Sequence, residues 1–266
     1  MVRSLWTGAS GMIGQQNNID VISNNLANVN THGYKKQRAD FEDLIYQTVR
    51  TAGTPATEDT VVPVGIQMGH GVKLADTQRV FSQGSLQQTD VPTDIAIAGE
   101  GFFRIQMYDG SMAYTRNGNF KVDMDGRMVT SNGYWLLPDI MMPELFLPDS
   151  ITVTKDGRVS VLIPRDGELV SVDVGRIELY RFPNPVGLTA VGENLFKPSG
   201  ASGDAIPGIP GYEGMGTLEH RFLEMSNVAI VQEMVNLIVA QRAYEFNSRT
   251  IQTSDNMLGT ATTLKR

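Results

Sequence analysis

The side chains that could do chemistry in this 266-residue sequence are few and scattered. Three histidines, His32, His70 and His220, stand far apart, and there is no cysteine. Disulfides, iron–sulfur centres and thiolate zinc sites are therefore excluded. No histidine has a Ser, Asp or second His at motif spacing, so a catalytic triad would have to be assembled in space alone. Two carboxylate pairs, Asp123 with Asp125 and Asp90 with Asp94, have a spacing that a wall hydrolase could use as acid and base. Turns or strand starts account for both pairs, and neither has a recognisable partner. Asp123-Met124-Asp125-Gly126 begins like a calcium loop, but its sixth position is Met128 instead of Gly and Thr130 to Tyr134 supply no carboxylate. It reads as a hairpin turn. Gly99-Glu100-Gly101-Phe102-Phe103-Arg104 lacks the third Gly of a dinucleotide fingerprint and leads into a strand-like segment. No catalytic, cofactor-binding or metal-ligating residue is assigned, and no cofactor is expected.

With no constellation to position, the pattern of the elements carries the information. A net charge of −7 and the lack of a Lys/Arg cluster argue against nucleic acid and polybasic membrane contacts. No run approaches the roughly 18 apolar residues of a membrane span, and the N-terminus lacks the apolar core of a cleavable signal. Charged residues make up 19% of the chain, below the usual ~25%, which suggests that part of the surface is covered.

Leu5, Met12, Ile19 and Leu26 recur every seven residues, with Ala9, Gln16 and Ser23 interleaved, which is a heptad seam. The other end repeats the pattern with Leu223, Ile230, Leu237, Tyr244, Ile251 and Leu258. A second stripe, Val228, Val231, Val235 and Ile238, widens the apolar face toward more than one neighbouring helix. Residues 1 to 34 carry only Arg3 and Asp20 as charges, while eight Asn or Gln fill residues 15 to 30. A plain helical hairpin capping one domain remains the alternative reading of these ends. Four seam side chains recover far less than the backbone entropy of ordering such a terminus, so the ends are expected to fold on assembly.

Between the ends the period drops to two and turn dipeptides appear: Asp109-Gly110, Asn117-Gly118, Asp125-Gly126, Asn132-Gly133, Asp156-Gly157 and Asp166-Gly167. The expected fold class is α+β, with N- and C-terminal helices paired as a coiled coil and an all-β middle inserted. Residues 1–34 and 217–266 form the discontinuous helical domain, 35–72 an extended linker, 73–182 the β-rich domain, and 183–216, with 13 Pro or Gly, a return segment.

The segment Ser23-Asn24-Asn25-Leu26-Ala27-Asn28-Val29-Asn30-Thr31-His32-Gly33-Tyr34-Lys35 reads as a helix end with Gly33 at a left-handed cap. Asn25 and Asn28 are candidates for interchain hydrogen bonds or for a local cap. Asn25-x-Ala27-Asn28-x-x-Thr31-x-Gly33-Tyr34-Lys35 resembles the signature of the bacterial flagellar axial family, the rod and hook proteins. Further likenesses follow in family order: Ala96 to Phe103, Tyr114 to Phe120, Asn184 to Leu188, Leu223 to Val228, and Gln241-Arg242-Ala243-Tyr244-Glu245. The stretch from Tyr46 to about Val72 is similar to the extra segment of the distal-rod branch; Met128, Ala229 and His220-Arg221 depart from the common pattern.

The resemblance implies a structural subunit and not an enzyme: a helical homopolymer forming a rigid hollow shaft around an export channel. It implies neighbours among proximal rod proteins and the hook protein, surrounding ring proteins, and passage through the flagellar type III export apparatus to a periplasmic rod without a cleavable signal. A proximal rod or hook-like subunit is the nearer alternative. Leu5, Met12, Ile19, Leu26, Asn25, Asn28, Gly33, Ile230, Leu237, Tyr244, Ile251 and Leu258 are the expected self-assembly residues.

Overall fold

In a computed structural model of the chain, the described residues are 2–53, 55–57, 60–61, 63–143, 146–165 and 168–263. They fall into two compact units, one made of residues 1–27, 37–79 and 229–266 and the other of 28–36 and 80–228. No described helix is long and apolar enough to cross a membrane.

The first unit holds two helices, α1 (Val2–Ala27) and α2 (Ile230–Thr263), which give the α part of the α+β class. Their partnership runs antiparallel: Ser4 Oγ lies 3.0 Å from Ser254 Oγ, Gly8 faces Ile251, and Gly11 faces Asn247. A Cβ on Gly8 would sit 3.0 Å from Ile251 Cγ1, and one on Gly11 only 2.7 Å from Asn247 Nδ2. The helices thus meet through small side chains that let the backbones come close. Gly8→Leu is expected to destabilise the helical unit by about 1–3 kcal/mol through overpacking, read as a lower melting midpoint of the helical circular dichroism. An unchanged midpoint would contradict this contact.

The stretch read as an extended linker carries its own ladder. Gln37–Asp43 pairs antiparallel with Val72–Arg79, with a bulge between Asp40 and Phe41. Phe41 and Val72 of this ladder pack against Gly14 of α1. Tyr46–Arg50 and Ile66–Gly69 continue as a second antiparallel pair, and all of their residues are exposed.

The second unit is the β-rich middle. Its main sheet has seven antiparallel strands, in edge-to-edge order Phe120–Val122, Met128–Thr130, Trp135–Leu137, Phe103–Gln106, Met112–Thr115, Leu195–Lys197 and Thr189–Gly192. A three-stranded sheet follows from Thr152–Val153, Arg158–Arg165 and Glu168–Arg176. The core lies around Ile95, Ile97, Phe103, Phe120, Leu136 and Ile177, all fully buried. A second cluster packs Phe102, Tyr114, Phe182 and Phe196 edge to face, with Tyr180 tilted against Tyr114.

Gly110, Gly126, Gly133 and Gly157 take the positive φ that their hairpin turns demand. Asn117-Gly118 is the exception, since the strands on either side of it, Met112–Thr115 and Phe120–Val122, are not paired with each other. Gly118 is needed for a different reason: a Cβ there would lie 1.6 Å from the carbonyl oxygen of Ile95. The Asp166-Gly167 turn lies outside the described residues.

The C-terminal helix begins later than its sequence pattern suggests. Thr217–His220 and Phe222–Glu224 are strands that pair with Ile95–Ala98 and Leu86–Gln88. Leu223, which starts the seven-residue row in sequence, is therefore a buried strand residue.

Candidate functional site

Two features stand out, one in each unit. The first is the outer surface of the helices. On α1 the row Leu5, Met12, Ile19, Leu26 is half-buried, whereas Ser4, Gly8 and Gly11, one register away, face α2. On α2 the buried row is Glu233, Ala240 and Ser254, with Asn247 half-buried at the same heptad position. The row read from sequence flanks it: Leu237, Ile251 and Leu258 are half-buried, while Ile230 and Tyr244 are exposed. The periodic large residues are thus not the centre of the α1–α2 contact.

Many of the large apolar side chains point into solvent. Val231 is 77% exposed, Val239 62%, Ile238 56% and Phe246 64%, with Met234 and Val235 near half. Trp6 and Ile13, seven residues apart on α1, are 71% and 61% exposed. Contiguous apolar surface of this kind marks a protein–protein interaction site. The exposed pair Tyr46–Arg50 and Ile66–Gly69 adds Tyr46, Val49, Ile66 and Met68.

Asn25, expected to bond either another chain or its own helix end, bonds within the chain. Its side chain is 1% exposed; Nδ2 donates to the carbonyl of Gln37 at 2.7 Å and Oδ1 accepts the Gln37 N–H at 2.8 Å. Both ends of the amide are spent within the chain, imitating a strand pair at the head of the ladder. Asn28 likewise bonds locally, its Oδ1 accepting from Thr31 Oγ1 at 3.2 Å.

The second feature is a buried charge cluster in the β-rich unit. The Glu224 carboxylate, with no exposed side-chain surface, accepts from Lys35 Nζ at 2.6 Å, Arg116 Nε at 2.8 Å and the Gly84 N–H at 2.9 Å. Lys35 Nζ also donates to the Ser82 carbonyl at 2.8 Å. Arg116 Nη1 reaches the carbonyls of Gly99 and Gly101 at 2.8 and 2.9 Å. Burial and the nearby Arg116 lower the Lys35 pKa against the pull of Glu224. The folded state then holds that proton less tightly than the unfolded chain, so the contribution of Lys35 to stability rises as pH climbs through the lowered pKa toward 10.5.

Neighbouring bonds extend the cluster. Asn227 accepts the Lys36 N–H at 2.8 Å and donates to the carbonyls of Val80 and Ser82. The Gly33 N–H donates to the Glu224 carbonyl at 2.8 Å. Gly33 has φ +70, and a Cβ on it would lie 2.7 Å from the backbone nitrogen of Asn117, so a left-handed cap and a close approach coincide. Segments 33–36, 82–84, 97–101, 116–117 and 224–227 therefore converge on one point. Four of the six motifs that carry the family resemblance contribute to it. Sequence reading passes over Lys35, Arg116 and Glu224 as a group because they are far apart in the chain; the signal available was a Lys, an Arg and a Glu inside otherwise polar or apolar motifs.

One member of each carboxylate pair weighed for hydrolysis is engaged in the fold, Asp123 in a turn and Asp94 by burial. Asp123 bonds the Met124 N–H, and its backbone closes the turn before Arg127. Asp94 is 3% exposed, and burial raises its pKa. Among the described residues no group of three or more His, Asp or Glu is placed to hold a metal ion.

Residues 5–35 match the family described as flagella basal body rod protein, 96–161 the flagellar hook protein FlgE/F/G D1 domain, and 219–264 the flagellar basal body rod FlgEFG protein C-terminal region. The chain is 58% identical over 266 residues, the whole of both chains, to the flagellar basal-body rod protein FlgG of Borreliella burgdorferi. It is 45% identical to FlgG of Caulobacter vibrioides, over 99% of this chain and 100% of that one. The flagellar hook protein FlgE of Helicobacter mustelae is 45% identical over 154 residues, 56% of this chain and 34% of the hook protein. Full-length identity of this order, together with domain matches at both ends and in the middle, establishes that the chain belongs to the FlgG family of flagellar basal-body rod proteins.

Proposed function

We propose that this chain is the structural subunit of a flagellar distal rod, polymerising helically into a stiff hollow shaft that carries torque from motor to hook. The observation that carries this reading is the exposed apolar surface of α1 and α2, from Trp6 and Ile13 to Val231, Val235, Ile238 and Phe246. In the polymer these faces are covered by the helices of other copies, forming an inner tube around the export channel. Leu5, Met12, Ile19, Leu26, Leu237, Ile251 and Leu258 pack at the edges of those contacts; Ile230 and Tyr244 meet the neighbours directly. Gly33 and Asn28 shape the helix end, and Asn25 fixes the ladder instead of a second chain.

Few large apolar groups are buried between α1 and α2, so their order in a free subunit is marginal and is completed on assembly. Such a subunit suits passage in unfolded form through a type III export apparatus and needs no cleavable signal. Its neighbours are proximal rod proteins at one end, the hook protein at the other, and ring proteins around the periplasmic shaft. Concentrating the purified chain and imaging it by electron microscopy tests the reading. Tubes are expected; a chain that stays monomeric at every concentration would overturn it.

The exposed antiparallel pair within residues 46–69 locks neighbouring subunits into a straight packing, a role that its projecting Tyr46, Val49, Ile66 and Met68 support. Deleting 46–69 leaves the 37–43 and 72–79 ladder in place. The deletion is expected to yield tubes that assemble and bend, measured as a shortened persistence length. Tubes as straight and stiff as the parent would refute the locking role.

A further inference from the structure

A small polar cleft opens among the connecting turns at one end of the seven-stranded sheet, with Asn117, next in sequence to Arg116 of the charge cluster, on its wall. Its volume is about 180 Å³, below the ~300–1,000 Å³ typical of pockets for drug-sized ligands, so it takes a single ring. Asn117, Asn119, Ser131, Asn132, Tyr134 and Glu193 supply most of the wall. Each amide offers both an acceptor and two donors, and a hydroxyl both donates and accepts. This lining matches a ligand whose polar groups are themselves hydroxyls. Among the described residues the cleft is lined by no Lys or Arg, and its one charge is a carboxylate, which disfavours phosphates and other anions. Leu195 is its only aliphatic wall residue, too little for an acyl chain.

The backbone at one wall is strained. Glu193 and Asn194 form the two-residue connection between Thr189–Gly192 and Leu195–Lys197, with φ +56 and +61. Turns of this shape favour Asn-Gly, and a Glu in the left-handed region is costly. Asn194 is pinned from two sides: its Nδ2 donates to the His32 carbonyl at 2.9 Å, and its own carbonyl accepts from Thr115 Oγ1 at 2.9 Å. The turn thereby holds Glu193 on the cleft wall beside the Tyr134 hydroxyl, whose pKa is raised by burial and by that carboxylate. Tyr134 in turn packs at a tilt against Tyr108 with ring centroids 4.9 Å apart, which fixes an aromatic surface at the rim. Strain retained at a polar cleft is a mark of function, since an Asn at 193 would relieve it without altering the fold.

We infer that this cleft binds one pyranose ring of a neutral glycan, with the Asn amides and Glu193 bonding its hydroxyls and Tyr134 flanking the ring.

Saturation-transfer NMR on the full-length chain with triacetylchitotriose and, separately, maltotriose tests the site. Transfer to the ring protons of at least one sugar is expected at up to about 10 mM, tenfold above a ~1 mM dissociation constant. Transfer to either supports the site, and the preferred sugar tells whether acetamido-sugars or plain glucans are its source. Asn119→Ala should abolish the transfer. Glu193→Asn should raise the melting temperature by relieving the left-handed Glu, yet weaken sugar binding about tenfold, a loss of ~1.4 kcal/mol. Destabilisation alone cannot produce that pair of results. No transfer from either sugar, or equal transfer in parent and both variants, would overturn the inference.

Discussion

Replacing Glu224 by Gln is expected to destabilise the β-rich unit by about 3–5 kcal/mol, because breaking a buried pair leaves its partner charges uncompensated. The carboxylate is fully buried between Lys35, at 1% side-chain exposure, and Arg116, at 5%. Among the described residues it is the anion that pairs with both cations of this cluster, so its loss strengthens their mutual repulsion. Lys35, its pKa already lowered, would shed its proton more readily. The Gly84 N–H would also face an amide that cannot accept from all three donors at once. Urea unfolding followed by tyrosine and tryptophan fluorescence measures the loss. A loss below about 1 kcal/mol, the worth of an exposed ion pair, would mean that the cluster is solvated and does not hold the converging motifs together. Lys35→Met in the Glu224→Gln background should recover part of the loss by removing one of the stranded charges.

Ile238→Asp is expected to abolish assembly while leaving the isolated subunit as stable as the parent. Ile238 is 56% exposed on α2 and away from the buried row of Glu233, Ala240 and Ser254. In the free chain the substitution is a surface change, worth within about 0.5 kcal/mol. In a polymer the same position is covered, and an unpaired carboxylate there costs several kcal/mol. Each ~1.4 kcal/mol is a factor of ten in affinity, so the critical concentration should rise at least about a hundredfold. Leu237→Asp makes the informative contrast. Leu237 is half-buried beside the α1–α2 contact, so its replacement should both block assembly and weaken the helical unit. Normal tubes from Ile238→Asp, seen by electron microscopy at the parent's critical concentration, would show that this face of α2 stays in solvent.

The helices were legible because large apolar residues recur every seven positions, and the pattern located both. It displaced their contact by one residue on α1 and by three on α2. Of the periodic row, Ile251 meets Gly8 in the contact, but the other members of the contact are Ser4, Gly11, Asn247 and Ser254, and small or polar side chains leave no trace in a hydrophobic periodicity. Others of the large residues, Ile230 and Tyr244, face away and are exposed. Leu223 entered the same row by accident of spacing and is a strand residue. In the middle, Asp-Gly and Asn-Gly pairs marked true hairpins wherever Gly adopts positive φ. Asn117-Gly118 misled because a Gly demanded by the Ile95 carbonyl looks the same in sequence as one demanded by a turn. The ladder of 37–43 with 72–79 was hidden by its polar composition and by the 28 residues between its strands. Lys35, Arg116 and Glu224 were visible only as members of separate motifs, since their union depends on contacts across 108 and 189 positions of sequence.

Hydrogen exchange along the whole chain, measured on the free subunit and again after concentration into tubes, tests most directly whether α1 and α2 are completed by other copies. The expected result is rapid exchange across 2–27 and 230–263 in the free subunit and strong protection in the tubes, with the core strands around Ile95, Phe103 and Phe120 protected in both. Helices fully protected in a subunit that never assembles would contradict the assembly reading and leave the exposed row from Val231 to Phe246 without a role.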